Sequence, residues 1–245
     1  MKLSVIICCY NERASIRDVI DRSRAVDLGP GWEKEIIVVD NFSTDGTREI
    51  LQGLDYPDVC VIYHERNMGK GRSIRTGFEH ATGAYYFIQD ADTEYDPAEQ
   101  PLFCRKAEET GAAAIFGSRI LGGTIRSRYL RTLIGNRLIT LLANVLFGGK
   151  LTDVATASKM VRADVADSLH LDGSGFDLDF ELPGKILMAG HEILEIPISY
   201  EPRSYEEGKK IGPRDFITAT IAMLRARLGL SPVFKTAPQK AGLVR

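Results

Sequence analysis

No stretch of the 245-residue chain approaches the roughly 20 consecutive apolar residues that a membrane-spanning helix requires. The N-terminal apolar run, Leu3 to Tyr10, is too short for a secretory leader and ends in Asn11-Glu12-Arg13 without a small-residue cleavage site. Cysteine is scarce: Cys8, Cys9, Cys60 and Cys104 form no C-x-x-C pair, so they read as small buried apolar residues of a reducing compartment, neither disulfides nor zinc ligands. A basic excess is also missing, with 31 Lys and Arg against 33 Asp and Glu and a formal charge of -2, which argues against a nucleic-acid partner. No glycine occurs in Tyr10-Asn11-Glu12, where a dinucleotide-binding G-x-G-x-x-G would follow the first strand. Gly69-Lys70-Gly71 lacks the upstream glycine and the following Ser or Thr of a phosphate-binding P-loop. An EF-hand beginning at Asp90 would place glycine sixth and glutamate twelfth, where Tyr95 and Pro101 stand. A sugar-phosphate nucleotidyltransferase would have a glycine-rich N-terminal loop, and none is present. His64, His80, His170 and His191 show no metal-ligand spacing.

What is present points to an α/β chain. The 44% apolar composition suffices for the core of one large domain. Short apolar runs alternate with helical patterns through the first half, as in βαβ units built on a parallel sheet. Strands are expected over 3–9, 35–39, 59–63, 85–89 and 112–117, and helices over 14–23, 45–51, 71–80 and from Pro97 to about 109. Ser43 or Thr44 is the expected N-cap of the second helix, and Pro97 suits a first helical turn. The second half is less regular, with helices expected over 129–147 and 215–228. Residues 1–230 form one expected domain, divided into halves at 1–120 and 121–230, and 231–245 read as a mobile tail.

Tyr86-Phe-Ile-Gln-Asp90-Ala-Asp92-Thr-Glu94 carries the most chemistry. An apolar strand ends in three carboxylates at alternate positions, a pattern of hard oxygen ligands able to hold Mg²⁺ or Mn²⁺. Asp40, Asp90 and Asp92 each follow four or more apolar residues directly or nearly so. That places carboxylates at one rim of the sheet, beyond the strands' carboxyl ends, where open parallel sheets bind ligands.

Seven pieces, in order, carry a family resemblance: Val5-Ile-Ile-Cys-Cys-Tyr-Asn-Glu12, Val38-Val-Asp-Asn-Phe-Ser-Thr-Asp-Gly-Thr47, Arg66-Asn-Met-Gly-Lys-Gly71 with Arg75-Thr-Gly-Phe78, Asp90-Ala-Asp-Thr-Glu94, Gly117-Ser-Arg119, Leu151-Thr-Asp153, and Arg203-Ser-Tyr-Glu-Glu-Gly-Lys-Lys-Ile211. The chain resembles inverting glycosyltransferases of the GT-A fold, of the dolichyl- or polyprenyl-phosphate sugar synthase type. The resemblance implies a Rossmann-like, mostly parallel sheet flanked by helices. It implies a nucleotide-sugar site at Tyr10, Asn11, Glu12, Asp40, Lys70, Asp90, Ala91 and Asp92, with a metal on Asp90, Asp92 and Glu94. It places Arg119, Arg131, Arg203 and Lys209 around the acceptor phosphate, and makes Asp92, Asp153, Arg119, Arg203 and Lys209 the catalytic set. Mg²⁺ or Mn²⁺ is the implied cofactor, a GDP- or UDP-sugar the donor, and a polyprenyl phosphate the acceptor.

A phosphate nucleophile is already anionic and leaves Asp153 to orient acceptor or sugar; a hydroxyl nucleophile needs a base, for which Asp153 is the candidate. Arg203, Lys209 and Lys210 lie in a segment suited to closing over bound phosphates. Arg126, Arg128 and Arg131, with Tyr129, Leu130, Leu133 and Ile134, could rest on an anionic membrane surface or could belong to a helix packed on the sheet. Asn41 replaces a second aspartate of the family pattern, Pro213 a tryptophan, Phe216 a glycine and Ser158 an aromatic residue. These last three lie on the acceptor side, which keeps open a hydroxyl or amine acceptor, soluble or carrier-bound. A non-catalytic nucleotide-sugar binder is the alternative from another class. The expected location is cytoplasmic, including the cytoplasmic membrane face.

Overall fold

The structure is a computed structural model that describes residues 1–123, 130–203 and 213–235. The first strand, β1 (Lys2–Cys9), carries apolar residues on both faces and lies inside the sheet, as its near-continuous apolar run dictates. The chain then runs through α1 (Ile16–Ala25), β2 (Glu33–Asp40), α2 (Thr47–Gln52), β3 (Val59–Tyr63), α3 (Lys70–His80), β4 (Tyr85–Asp90), a 3₁₀ turn (Pro97–Glu99), α4 (Gln100–Thr110) and β5 (Ala114–Ser118). There follow α5 (Leu130–Phe147), β6 (Lys159–Arg162), α6 (Ala163–Ser168), α7 (Leu178–Met188), β7 (Ile193–Pro197) and α8 (Pro213–Arg227). Among the described residues seven strands form one sheet in the order β3-β2-β1-β4-β6-β5-β7, and of these only β6 runs antiparallel to its neighbours, β4 and β5.

Helix α1 buries Ile16, Val19, Ile20 and Ser23, the i, i+3, i+4, i+7 spacing of an amphipathic helix laid on a sheet. It begins where the Glu12 carbonyl accepts from the Ser15 and Ile16 N–H groups. One apolar cluster joins Val5, Ile7 and Phe87 to α1 and α4 on one face of the sheet. The other joins Ile6, Ile88 and Phe116 to α3, α5, α7 and α8. Gly77 lets α3 lie close to β1, since a Cβ there would stand 2.3 Å from Ile6 Cγ2.

Several expectations shift. The N-cap position of α2 is held by Gly46, at φ 102° and without a side-chain cap, so neither Ser43 nor Thr44 caps it; Asp45 accepts from the Thr47 N–H at 3.0 Å, and Ser43 accepts from the Asn11 N–H. Strands β6 and β7 and helices α6 and α7 were not expected. Because β6 threads between β4 and β5, the two halves of the chain share a single sheet. Cys60 is exposed, unlike the buried Cys9 and Cys104. Residues 231–235 are docked and do not trail away: Ser231 is buried and Phe234 bridges to Leu169. The remainder of the expected tail lies outside the described residues. Among the described residues no helix is long and apolar enough to cross a membrane.

Candidate active site

Chain order reverses at β1: β2 and β3 extend to one side, β4 to the other. Crevices form at such points beyond the strands' carboxyl ends. The register pairs Cys9 with Asp40 and Cys8 with Asp90, bringing both aspartates to one rim. A cavity of 260 Å³ opens there, lined among others by Tyr10, Glu12, Lys70, Asp90, Ala91, Asp92, Glu94 and Arg203.

Charges alternate around this cavity. Arg203 donates to Asp92 at 2.6 Å and to Glu12 at 2.9 Å. Lys70 donates to Asp90 at 2.8 Å and to Asp179 at 3.2 Å, with the Phe176 ring 5.6 Å from its ammonium. Burial and the adjacent Asp90 charge push the Asp92 carboxyl up to about 7, against the pull of Arg203. Burial disfavours the Lys70 charge, yet Asp179 and Asp90 outweigh it and hold the ammonium well above its ordinary range. The site is thus a set of carboxylates kept close together by cations.

Other expected residues stand elsewhere. Asp40 is fully buried and does not line the cavity. It accepts from Arg48 Nε at 2.8 Å and from the Ser43 N–H at 3.1 Å, and so shapes the loop that follows β2. Asn11, with φ 55°, accepts from the Thr44 N–H at 2.8 Å and likewise holds that loop. Glu94 accepts from the Tyr200 hydroxyl and the Arg203 N–H. Asp90, Asp92 and Glu94 therefore form no ready three-ligand cluster, and among the described residues no group of three His, Cys, Asp or Glu is disposed to hold a metal. Arg119 and Asp153 lie behind the cavity as a buried bidentate pair, Nε to Oδ2 at 2.6 Å and Nη2 to Oδ1 at 2.7 Å. The Arg119 guanidinium lies 4.9 Å from the Tyr200 ring, and neither partner lines the cavity. Arg131 is on α5, but its side chain is outside the described residues, as are Arg126, Arg128, Tyr129, Lys209 and Lys210.

Sequence reasoning missed Asp179, Lys159, Phe176 and Tyr200. The only signal for the first and third was the run Gly173-Ser-Gly-Phe-Asp-Leu-Asp179, whose glycines pack against α3: the Gly71 and Arg72 N–H groups donate to the carbonyls of Gly175 and Ser174.

Residues 4–169, more than half of the chain, match Glycosyl transferase family 2. The chain belongs to this family. Its fold is GT-A, with an α/β sheet that is parallel apart from β6 among the described residues. Among relatives of this family 2 chain is a dolichol-phosphate mannosyltransferase of Pyrococcus furiosus, 31% identical over 225 residues that cover 88% of this chain and 61% of the relative. The chain thus spans about three fifths of that protein's length. An undecaprenyl-phosphate mannosyltransferase of Micrococcus luteus is 29% identical, covering 94% of this chain and 100% of the relative. In fold, the chain is similar to glucosyl-3-phosphoglycerate synthase from Mycobacterium tuberculosis in complex with Mn²⁺, uridine diphosphate and phosphoglyceric acid. That match has a TM-score of 0.67 at 20% identity and covers 93% of this chain and 78% of the other.

Proposed function

We propose that this glycosyltransferase moves a sugar from a nucleoside diphosphate donor to a polyprenyl phosphate, with inversion at the sugar carbon. The observation that carries the choice of acceptor is the Arg119–Asp153 pair. Both oxygens of Asp153 accept from Arg119, and every carboxylate lining the cavity is engaged by a donor. A carboxylate held by a cation is a weakened base toward a hydroxyl, whereas a phosphate nucleophile arrives charged and needs none. The two relatives named for polyprenyl-phosphate substrates support the same reading.

The donor would lie over β1 and β4 against Tyr10, Glu12, Lys70 and Ala91, with Lys70 and Arg203 beside the phosphates. Asp90 and Asp92 suit a hard divalent cation: both offer carboxylate oxygens, and both line the cavity beside Lys70 and Arg203. Mg²⁺ or Mn²⁺ held there would offset charge developing on the departing diphosphate. Arg203, released from Asp92, would then be free to meet phosphate oxygens from donor or acceptor, the role also proposed for Lys209 and Arg131. Arg119 would act by holding Asp153 and the wall formed by Tyr200.

A lipid acceptor calls for a peripheral membrane contact. Helix α5 exposes Ile134, Leu138, Leu141 and Val145, and the α8 segment exposes Ile217, Ile221, Leu224 and Leu228; both sets follow i, i+4, i+7, i+11 spacing along one face. No acidic residue occurs between Thr110 and Asp153 or after Asp215, although Arg119, Arg126, Arg128, Arg131, Arg137, Lys150, Arg225, Arg227 and Lys235 fall in those stretches. Apolar stripes within acid-free, basic sequence suit the surface of an anionic bilayer, here the cytoplasmic leaflet. The test is competition between acceptors: UDP- and GDP-sugars with Mn²⁺ are offered a short-chain polyprenyl phosphate and soluble hydroxyl compounds. Transfer to the lipid phosphate is expected, and transfer to the hydroxyls alone would overturn the reading.

A further inference from the structure

One buried charged pair, Lys159 and Asp179, has no part in the chemistry above. Lys159 opens β6 in the middle of the sheet and is fully buried, and Asp179 on α7 is nearly so. Lys159 Nζ donates to Asp179 Oδ1 at 3.2 Å and to the Thr156 carbonyl. The other oxygen of Asp179 accepts from Lys70, whose ammonium also reaches Asp90 in the cavity. The result is an unbroken row of alternating charge: Lys159, Asp179, Lys70, Asp90.

A buried row of this kind is a costly way to hold β6 to α7. Desolvating each charge costs several kcal/mol, and apolar residues of like volume often serve stability as well. Its cost is visible at Lys159, where burial pulls the ammonium below its ordinary range despite Asp179. Burial also raises the Asp179 carboxyl, yet Lys159 and Lys70 together outweigh it and keep that carboxylate charged.

What the row does accomplish is to fix a lysine. A lysine ammonium is a compact charge on a flexible four-carbon stem. Lys70 begins α3, directly after Gly69 at φ 86°, and Asp179 anchors its ammonium from behind while Phe176 flanks it. We infer that Asp179, itself held by Lys159, is a positioning residue that aims the Lys70 ammonium at the diphosphate of the donor. The inference deepens the proposed function and rests on the cavity being a nucleotide-diphosphate site.

The test is a binding cycle on the full chain with UDP and GDP in the presence of Mn²⁺, read by calorimetry alongside the thermal unfolding midpoint. Lys70→Gln and Asp179→Asn should each weaken nucleoside diphosphate binding by about tenfold, and the double variant should bind no more weakly than Lys70→Gln alone. A purely structural role for Asp179 would lower the midpoint without that non-additivity. Because Asp179→Asn leaves Lys159 buried without its partner, Asp179→Asn with Lys159→Met repeats the measurement with the stranded charge removed and should bind as weakly as Asp179→Asn. Full affinity in the Asp179 variants, or losses that add to those of Lys70→Gln, would overturn the inference while leaving the nucleotide site intact. A wild-type chain that binds neither UDP nor GDP would remove the underlying reading and the inference together.

Discussion

Replacing Asp153 with asparagine separates the two acceptor chemistries, because its buried pairing with Arg119 leads us to expect a large effect on stability and, with a phosphate acceptor, a small one on the reaction. Asp153 is 2% exposed and Arg119 8%, and their bidentate contact at 2.6 and 2.7 Å is supplemented by the Arg119 N–H at 3.1 Å. Removing the negative partner leaves a guanidinium buried beneath Tyr200 without neutralisation, a change that costs about 3–5 kcal/mol. For a chain of this size each kcal/mol moves the midpoint by roughly 2–4 °C, so Asp153→Asn should unfold roughly 6–20 °C lower than the wild type. Removing both charges, with Arg119→Met and Asp153→Leu together, should recover much of that loss, since no unpaired ion remains. The decisive assay measures kcat on the folded fraction well below the lowered midpoint. A general base contributes about 10²–10⁴-fold; the ion-pair reading expects a change within about tenfold. An Asp153→Asn enzyme with an unaltered midpoint and a hundredfold loss in kcat would refute the reasoning and return Asp153 to the role of base.

Three further outcomes follow from the structure. Gly71→Ala would place a Cβ 2.6 Å from the Gly173 carbonyl oxygen and 2.9 Å from that of Gly175; both are backbone atoms, so the loop bearing Phe176 must retreat. A loss of about 1–3 kcal/mol is expected from such overpacking, together with weaker nucleotide binding, measured by thermal unfolding and titration. Leu138→Glu combined with Ile221→Glu should cut binding to anionic vesicles by tenfold or more, because each apolar side chain buried in lipid contributes about 1.5–3 kcal/mol. The unfolding midpoint should hold, since both residues are already at least half exposed; undiminished flotation with vesicles would contradict the membrane face. Burial alone would raise the Glu35 carboxyl, but Lys2, Ser4 and Thr82 bind it and hold it below its ordinary value. The unfolded chain therefore takes up the proton first as pH falls. Glu35's contribution is present above the unfolded value, about 4.3, and fades as pH drops through the lower folded value. Unfolding midpoints from pH 7 to pH 3 should fall less steeply in Glu35→Gln, and parallel curves would refute the assignment.

The difference between legible and hidden parts of this molecule has one physical source: whether a residue's environment comes from its own neighbours in sequence or from distant ones. Strand β1 is readable because burial on both faces demands a continuous apolar run, and Leu3–Cys9 supplies it locally. The aspartates at the strand tips are readable because they interrupt such runs abruptly. Strand β6 opens with a lysine, which reads as solvent-facing until Asp179, twenty positions later in the chain, is brought beside it. Helix α7 fails for a similar reason. Pro183 lies inside it, and Asp179, Glu181 and Lys185 are buried rather than marking an outer face. Glu181 accepts from the Asp172 and Gly173 N–H groups and pairs with Lys185 at 2.6 Å. Lys185 in turn reaches Ser231 at 2.7 Å, which is why the start of the presumed tail is anchored. The same distinction explains the site. Carboxylates could be placed at the rim from pattern alone, but their work depends on which cation each one meets. Asp153 and Asp92 look alike in sequence, each an aspartate following a small or hydroxyl-bearing residue. Arg119 occupies both oxygens of the first, while burial and Asp90 raise the second against the pull of Arg203.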